Sequence, residues 1–232
     1  MNSLTRDEAK GQKVGGAAAL YIALALLAAM PYFLLAVDYM GAKTAADKVA
    51  LVVANYASMY AMYLVTYVFY GIALGVLAFA LNDRLKARVP ATMRVATSIG
   101  LLWSFALVTS GMIFNYGMTT IAALEKTDPA QAQAAWLAIE PVALALGGAG
   151  GELLGGLWVL LVSLVALRSG ALPKPLGWFG VAVGIAGLAS VIPPLRDASI
   201  AFGMLLIAWF AWLGFVLVMT KAGATGTSQP KL

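Results

Sequence analysis

The sequence specifies an all-α, polytopic membrane protein with six transmembrane helices and both termini cytoplasmic. Three observations lead there. The chain is 62% hydrophobic and only 11% charged, against about 25% charged residues in a soluble domain. Its apolar residues fall in runs long enough for a hydrocarbon core, which takes about 20 helical residues to cross; the longest uncharged run, 50–81, has 32. Its basic residues also alternate in density from loop to loop. Eleven Lys and Arg fall on the side of the N-terminus and four on the other. That asymmetry places the richer side in the cytoplasm.

The elements follow in order. Residues 1–13 form a polar N-terminal tail. Val14 to Val37 is apolar for 24 residues, too long for a signal-peptide core of about 7–15. It is a retained first helix, with a kink expected at Pro31. Asp38 to Lys48 is a loop, and Ala50 to Leu81 is the second helix, either tilted or with its first turns outside the membrane. Asp83, Arg84, Lys86 and Arg88 make a basic loop, and Pro90 suits a helix start. Val95 to Leu124 is the third helix, and Glu125 to Gln133 a polar loop. In Ala134 to Leu167, the fourth, Pro141 is expected to mark the true start, with Ala134 to Ile139 lying at the membrane surface around Trp136. A turn over Arg168 to Pro175 leads to the fifth helix, Leu176 to Ile192, stopped by Pro193 and Pro194. Ala198 to Thr220 is the sixth, which closes a transmembrane domain over 14–221. Residues 222–232 read as a disordered cytoplasmic tail. No repeat relates the two halves, so an inverted-repeat transporter has no support.

Composition excludes several chemistries. The chain has no Cys and no His, which removes thiol nucleophiles, Cys/His zinc sites, iron–sulfur clusters and His-ligated haem. No Lys lies in a span, so there is no Schiff-base position, and there is no Ser–His pair. No phosphate-cradling glycine loop and no basic cluster for nucleic acid occurs. The expectation is a non-enzymatic protein with no cofactor and no metal.

The polar residues inside the spans are the candidates for function. Glu152 is the one ionisable residue deep in an apolar run, flanked by glycines from Gly147 to Gly156. An intramembrane carboxyl is costly, so it marks a site by default. Read on one continuous helix, Gly148 and Gly156 lie a turn away on the same face, turning Glu152 toward a neighbouring helix. With no Lys or Arg at its depth, the acid is expected in its neutral form. Counting about 1.5 Å per residue from the cytoplasmic rim places Tyr67, Ser110 and Ser190 at its level. Tyr56, Tyr60, Tyr63, Tyr67 and Tyr70 recur at spacings of 4, 3, 4 and 3, which puts five rings on one helical face. Asn115 and Asn55 are expected near the outer end, where amides meet water. The candidate ligand-binding set is Glu152, Tyr56, Tyr60, Tyr63, Tyr67, Ser110 and Asn115. A hydrogen-bonded clip and an ordinary packing face are the alternative readings of the acid and of the tyrosines. Gly177, Gly180, Gly184 and Gly187 read as helix packing alone.

The segment Leu172-Pro173-Lys174-Pro175-Leu176-Gly177-Trp178, followed by Gly180, Gly184 and Gly187, resembles the closing hairpin of a family of uncharacterised bacterial six-helix integral membrane proteins, a domain of unknown function. Gly150 to Trp158 is similar to theirs as well. The resemblance implies a multi-pass protein of the bacterial inner membrane and implies no activity. The residues themselves lead to a protein that binds a hydrophobic small molecule, or carries a proton and a solute, in a polar intramembrane pocket centred on Glu152. The alternative is a structural or regulatory subunit whose glycine faces dock another membrane protein. A lipid-modifying enzyme using Glu152 and a tyrosine is a third reading. In each case the lipid bilayer is a partner.

Overall fold

The computed structural model describes residues 6–87, 89–147 and 152–219. The expected tail 222–232 and the glycines Gly148 and Gly151 lie outside the described residues. Among the described residues there is helix and no strand. Helix α1 spans Arg6–Pro31 and passes into a π-turn, Tyr32–Ala36. It begins before Val14, inside the expected tail, and the Gln12 side chain donates to the Ala80 carbonyl at 2.8 Å. Helix α2 (Ala45–Ala54) starts on a capping box between Thr44 and Asp47. Asn55 separates it from α3 (Tyr56–Tyr63). A second π-turn, Leu64–Phe69, joins α3 to α4 (Tyr70–Leu85).

The remaining helices are α5 (Pro90–Leu124), α6 (Pro129–Gly147), α7 (Leu153–Ser169), α8 (Lys174–Ala189) and α9 (Ala198–Val218). Gly170 ends α7 in the left-handed conformation at φ 63°, where a side chain would be strained. Pro193–Leu195 is one short 3₁₀ turn. Four stretches are long and apolar enough to cross a membrane: Ala9–Ala36, Tyr56–Leu85, Pro90–Leu124 and Ala198–Val218. Helices α7 and α8 are also apolar but have 17 and 16 residues, or about 24–26 Å at 1.5 Å per residue.

Packing runs in a closed circuit, α1 on α4, α4 on α5, α5 on α7, α7 on α8, α8 on α9 and α9 back on α1. Small residues close two of these seams. A Cβ added at Gly156 would lie 2.7 Å from the Leu188 nitrogen, and one at Gly187 would lie 2.7 Å from the Gly156 Cα. Helices α7 and α8 are therefore in backbone contact, which small residues permit. Gly16 and Gly214 do the same for α1 and α9, each within 2.9 Å of the other's carbonyl once a Cβ is added.

The circuit encloses one core, where Trp103, Trp158, Trp209, Phe202 and Phe210 are all buried. A second core sits around the C-terminal half of α5, under α2, α3 and α6, with Phe114, Met118, Val52 and Trp136 at its centre. Trp136 is 0% exposed, and α6 runs straight through Pro141. This corrects the expectation of a surface segment before that proline. Helix α2 lies over α6 and covers it, so the tryptophan meets protein rather than headgroups.

Candidate binding site between the helix breaks

Three interruptions of helical winding meet at the boundary of the two cores. The first is the π-turn that follows Pro31, a residue unable to donate a backbone hydrogen bond. The second is the π-turn Leu64–Phe69. There the Tyr21 hydroxyl donates to the Val65 carbonyl and the Thr66 hydroxyl to the Met62 carbonyl, both at 2.8 Å. Carbonyls at the π-turn thus find side-chain donors, as irregular backbone at membrane depth requires. The third is Glu152, which lies outside the helical conformation immediately before α7. Phe33 comes from the first, and Thr66 and Tyr67 from the second. With Glu152, and with Gly147 at the end of α6, they line one cavity of about 210 Å³.

Glu152 stands at the N-cap of α7, not in mid-helix. The reading of Gly148 and Gly156 as one face around it is corrected accordingly, because no continuous helix carries all three. The Glu152 backbone N–H donates to the Ser190 hydroxyl at 3.0 Å, and that hydroxyl donates to the Gly187 carbonyl at 2.6 Å. This anchors the start of α7 to the end of α8. Among the described residues nothing hydrogen-bonds the Glu152 carboxyl, and no Lys or Arg lines the cavity. Tyr70, Trp103 and Phe202 complete the aromatic part of the wall. The Tyr70 hydroxyl is buried with no partner, an arrangement that ordinarily costs free energy unless something supplies the missing bond.

A second cavity of about 160 Å³ adjoins on the other core. It shares Phe33 and Tyr67 with the first and is lined also by Tyr39, Tyr63, Phe114 and Glu140. Glu140 is 6% exposed, more deeply buried than the half-buried Glu152. Its carboxylate takes the Lys48 ammonium at 2.7 and 2.8 Å and the Tyr39 hydroxyl at 2.8 Å. Trp136 Nε1 in turn donates to the Tyr39 oxygen at 2.9 Å. Burial, and then the neighbouring Glu140 carboxylate, hold the Tyr39 phenol far above its ordinary range. Tyr39 therefore remains a donor. In the sequence Lys48 closes the first loop and Glu140 lies near the start of the fourth helical run, and nothing in either position pairs them. The available signal was an acid directly before Pro141 in an apolar run.

The seven candidate residues divide between these features. Glu152 and Tyr67 share the first cavity, and Tyr63 and Tyr67 line the second. Tyr63 stacks on Phe114 with ring centroids 4.3 Å apart. The Ser110 hydroxyl donates to the Ala143 carbonyl at 2.7 Å, one turn before the end of α6. Tyr56 bonds Thr119 at 2.8 Å and packs on Tyr60; neither lines either of these two cavities. The π-turn divides the stripe, because Tyr70 belongs to the first core and packs on Trp103 and Phe210. Asn115 is 0% exposed with its amide unpartnered, since α6 covers this side of α5. It does not meet water. Among the described residues no three acidic side chains gather as metal ligands would.

No curated protein and no solved structure matches the chain. A family model matches residues 17–222, nearly the whole chain. The protein belongs to that family, described as a domain of unknown function, DUF4386.

Proposed function

We propose that the protein is a non-enzymatic, six-span protein of the bacterial inner membrane, with both termini cytoplasmic, that binds a small hydrophobic molecule around Glu152. The convergence of two π-turns and the non-helical Glu152 on one cavity, with no hydrogen bond to the Glu152 carboxyl among the described residues, is the observation that carries this reading. Helix interruptions at membrane depth are tolerated where they line a cavity, and π-turns recur at functional sites. Six spans are supported by the six-membered packing circuit and by the basic-residue asymmetry. A docking subunit would need free glycine faces, and Gly16, Gly156, Gly184, Gly187 and Gly214 are all in close contact within the chain.

The test uses Gly203, which lines the cavity and has nothing within 4 Å of an added Cβ. Gly203→Leu adds bulk at the cavity wall from a Cβ that meets nothing within 4 Å, and it adds helix propensity worth up to about 1 kcal/mol. Native mass spectrometry of the wild type, extracted in mild detergent, is expected to show a small-molecule adduct at one per chain. Gly203→Leu should fold and lose it. A wild type that carries no adduct, or an adduct retained in Gly203→Leu, contradicts the proposal.

A further inference from the structure

We infer that the ligand of the Glu152 cavity is a small organic cation, a single-ring or short-alkyl ammonium. The inference rests on the reading of that cavity as a binding site. Its wall combines five aromatic residues, Phe33, Tyr67, Tyr70, Trp103 and Phe202, with the Glu152 carboxyl. Aromatic faces carry negative potential and attract ammonium groups within about 6 Å, most strongly when both are desolvated. The Glu152 carboxylate favours positive charge, a ring that turns its face to the cavity adds to it, and among the described residues no Lys or Arg lines the space.

The N-terminus of α7 opposes this, since a helix start carries roughly +0.5 of an elementary charge. Glu152 at that N-cap brings a full negative charge when ionised, so the local balance remains negative. An anion would face both the carboxylate and the ring faces. A neutral hydrocarbon would use the rings but offer no countercharge to the Glu152 carboxyl and no partner to the buried Tyr70 hydroxyl, the latter costly in an apolar setting. Size narrows the class further. The cavity is about 210 Å³. An apolar cavity of about 150 Å³ accepts benzene, and drug-sized ligands occupy about 300–1,000 Å³. One ring with a small ammonium head fits between these.

The test compares benzyltrimethylammonium with neopentylbenzene, its uncharged isostere. Each is titrated calorimetrically into the full chain in lipid nanodiscs, with empty nanodiscs as blank. The cation is expected to bind saturably, one per chain, and at least about tenfold tighter than the isostere. Glu152→Gln should reduce the preference for the cation at least about fivefold, leaving what the rings contribute. Tyr67→Leu keeps the acid and removes one ring, and should weaken the cation about fivefold, as loss of one cation–π contact of about 1 kcal/mol implies. That variant carries the test if Glu152→Gln does not fold. Equal affinities in the wild type, or a cation preference undiminished in Glu152→Gln, overturns the inference while leaving a binding cavity in place. Failure of both probes to bind overturns the inference together with the reading it rests on.

Discussion

Lys48→Met isolates the contribution of the buried ion pair that ties α2 to α6. The Glu140 side chain is 8% exposed and that of Lys48 27%. Removing the ammonium leaves the carboxylate with the Tyr39 hydroxyl as its remaining side-chain donor. Breaking a fully buried pair costs about 3–5 kcal/mol. The partial exposure of Lys48 lowers that to about 2 kcal/mol, near the net value of hydrogen bonds to a charged group. Glu140→Gln should cost less, about 1 kcal/mol, because the lysine keeps a route to water along its own stem. The double variant should also cost about 1 kcal/mol, since it strands no charge. Reversible unfolding by sodium dodecyl sulfate in mixed micelles measures all three, and the cycle gives the coupling directly. If the double variant loses the sum of the single losses, the pair has no coupling and α2 is held by apolar packing alone.

The other expectations concern packing, the acid, topology and acid stability. Gly184→Leu and Gly16→Leu force apart backbones in contact and should lower the melting temperature in detergent, by the equivalent of about 1–3 kcal/mol or more. Ala182→Leu, on the exposed side of α8, should melt as wild type; equal melting of all three would remove the packing argument. Glu152→Gln should retain wild-type stability, whereas Glu152→Leu should lose the adduct in native mass spectra; retention of the adduct by the leucine variant would remove the acid from the site. For the proposed topology, an impermeant thiol reagent on intact cells should label Ala45→Cys and Ala130→Cys and spare Ala87→Cys. Labelling at 87 would reverse the orientation. The Thr44 hydroxyl and backbone N–H hold the Asp47 carboxyl below its ordinary value of 3.8. A depressed folded value stabilises α2 above the unfolded one, and that stability fades as pH falls through the folded one. Intrinsic-rate-corrected hydrogen exchange of α2 should therefore show less protection at pH 3 than at pH 6, and Thr44→Ala should flatten the difference.

The helical class and most helix positions were legible because apolar run length and basic flanks are one-dimensional signals. Val95 to Leu124 lies inside α5, and the expected sixth helix coincides with α9 to within two residues at its end. The interruptions were not legible. Tyr63, Tyr67 and Tyr70 keep helical spacing in the sequence, yet the π-turn changes the rotation per residue and sends Tyr70 into the other core. Glu152 looked like a mid-helix residue because glycine-rich, apolar sequence is equally compatible with a packed helix and with a break. Lys48 and Glu140 are 92 residues apart, and only the folding of α2 over α6 brings them together. Counting depth from rim charges placed Tyr67 and Ser190 at the level of Glu152, and the structure has both beside it.

The central claim is that an accessible cavity, not packed protein, faces Glu152. The chain has no Cys, so single cysteines report on it directly. Membranes carrying Glu152→Cys, Gly203→Cys or Ser190→Cys can be exposed to 2-aminoethyl methanethiosulfonate and the labelling rates compared. Ser190 is 0% exposed and lies outside the cavity wall. Positions 152 and 203 are expected to label at least about tenfold faster than 190, with position 203, where Glu152 is retained, slowed by benzyltrimethylammonium. Rates at 152 and 203 as low as that at 190 would mean that the space is closed, and that Glu152 is a packed structural acid.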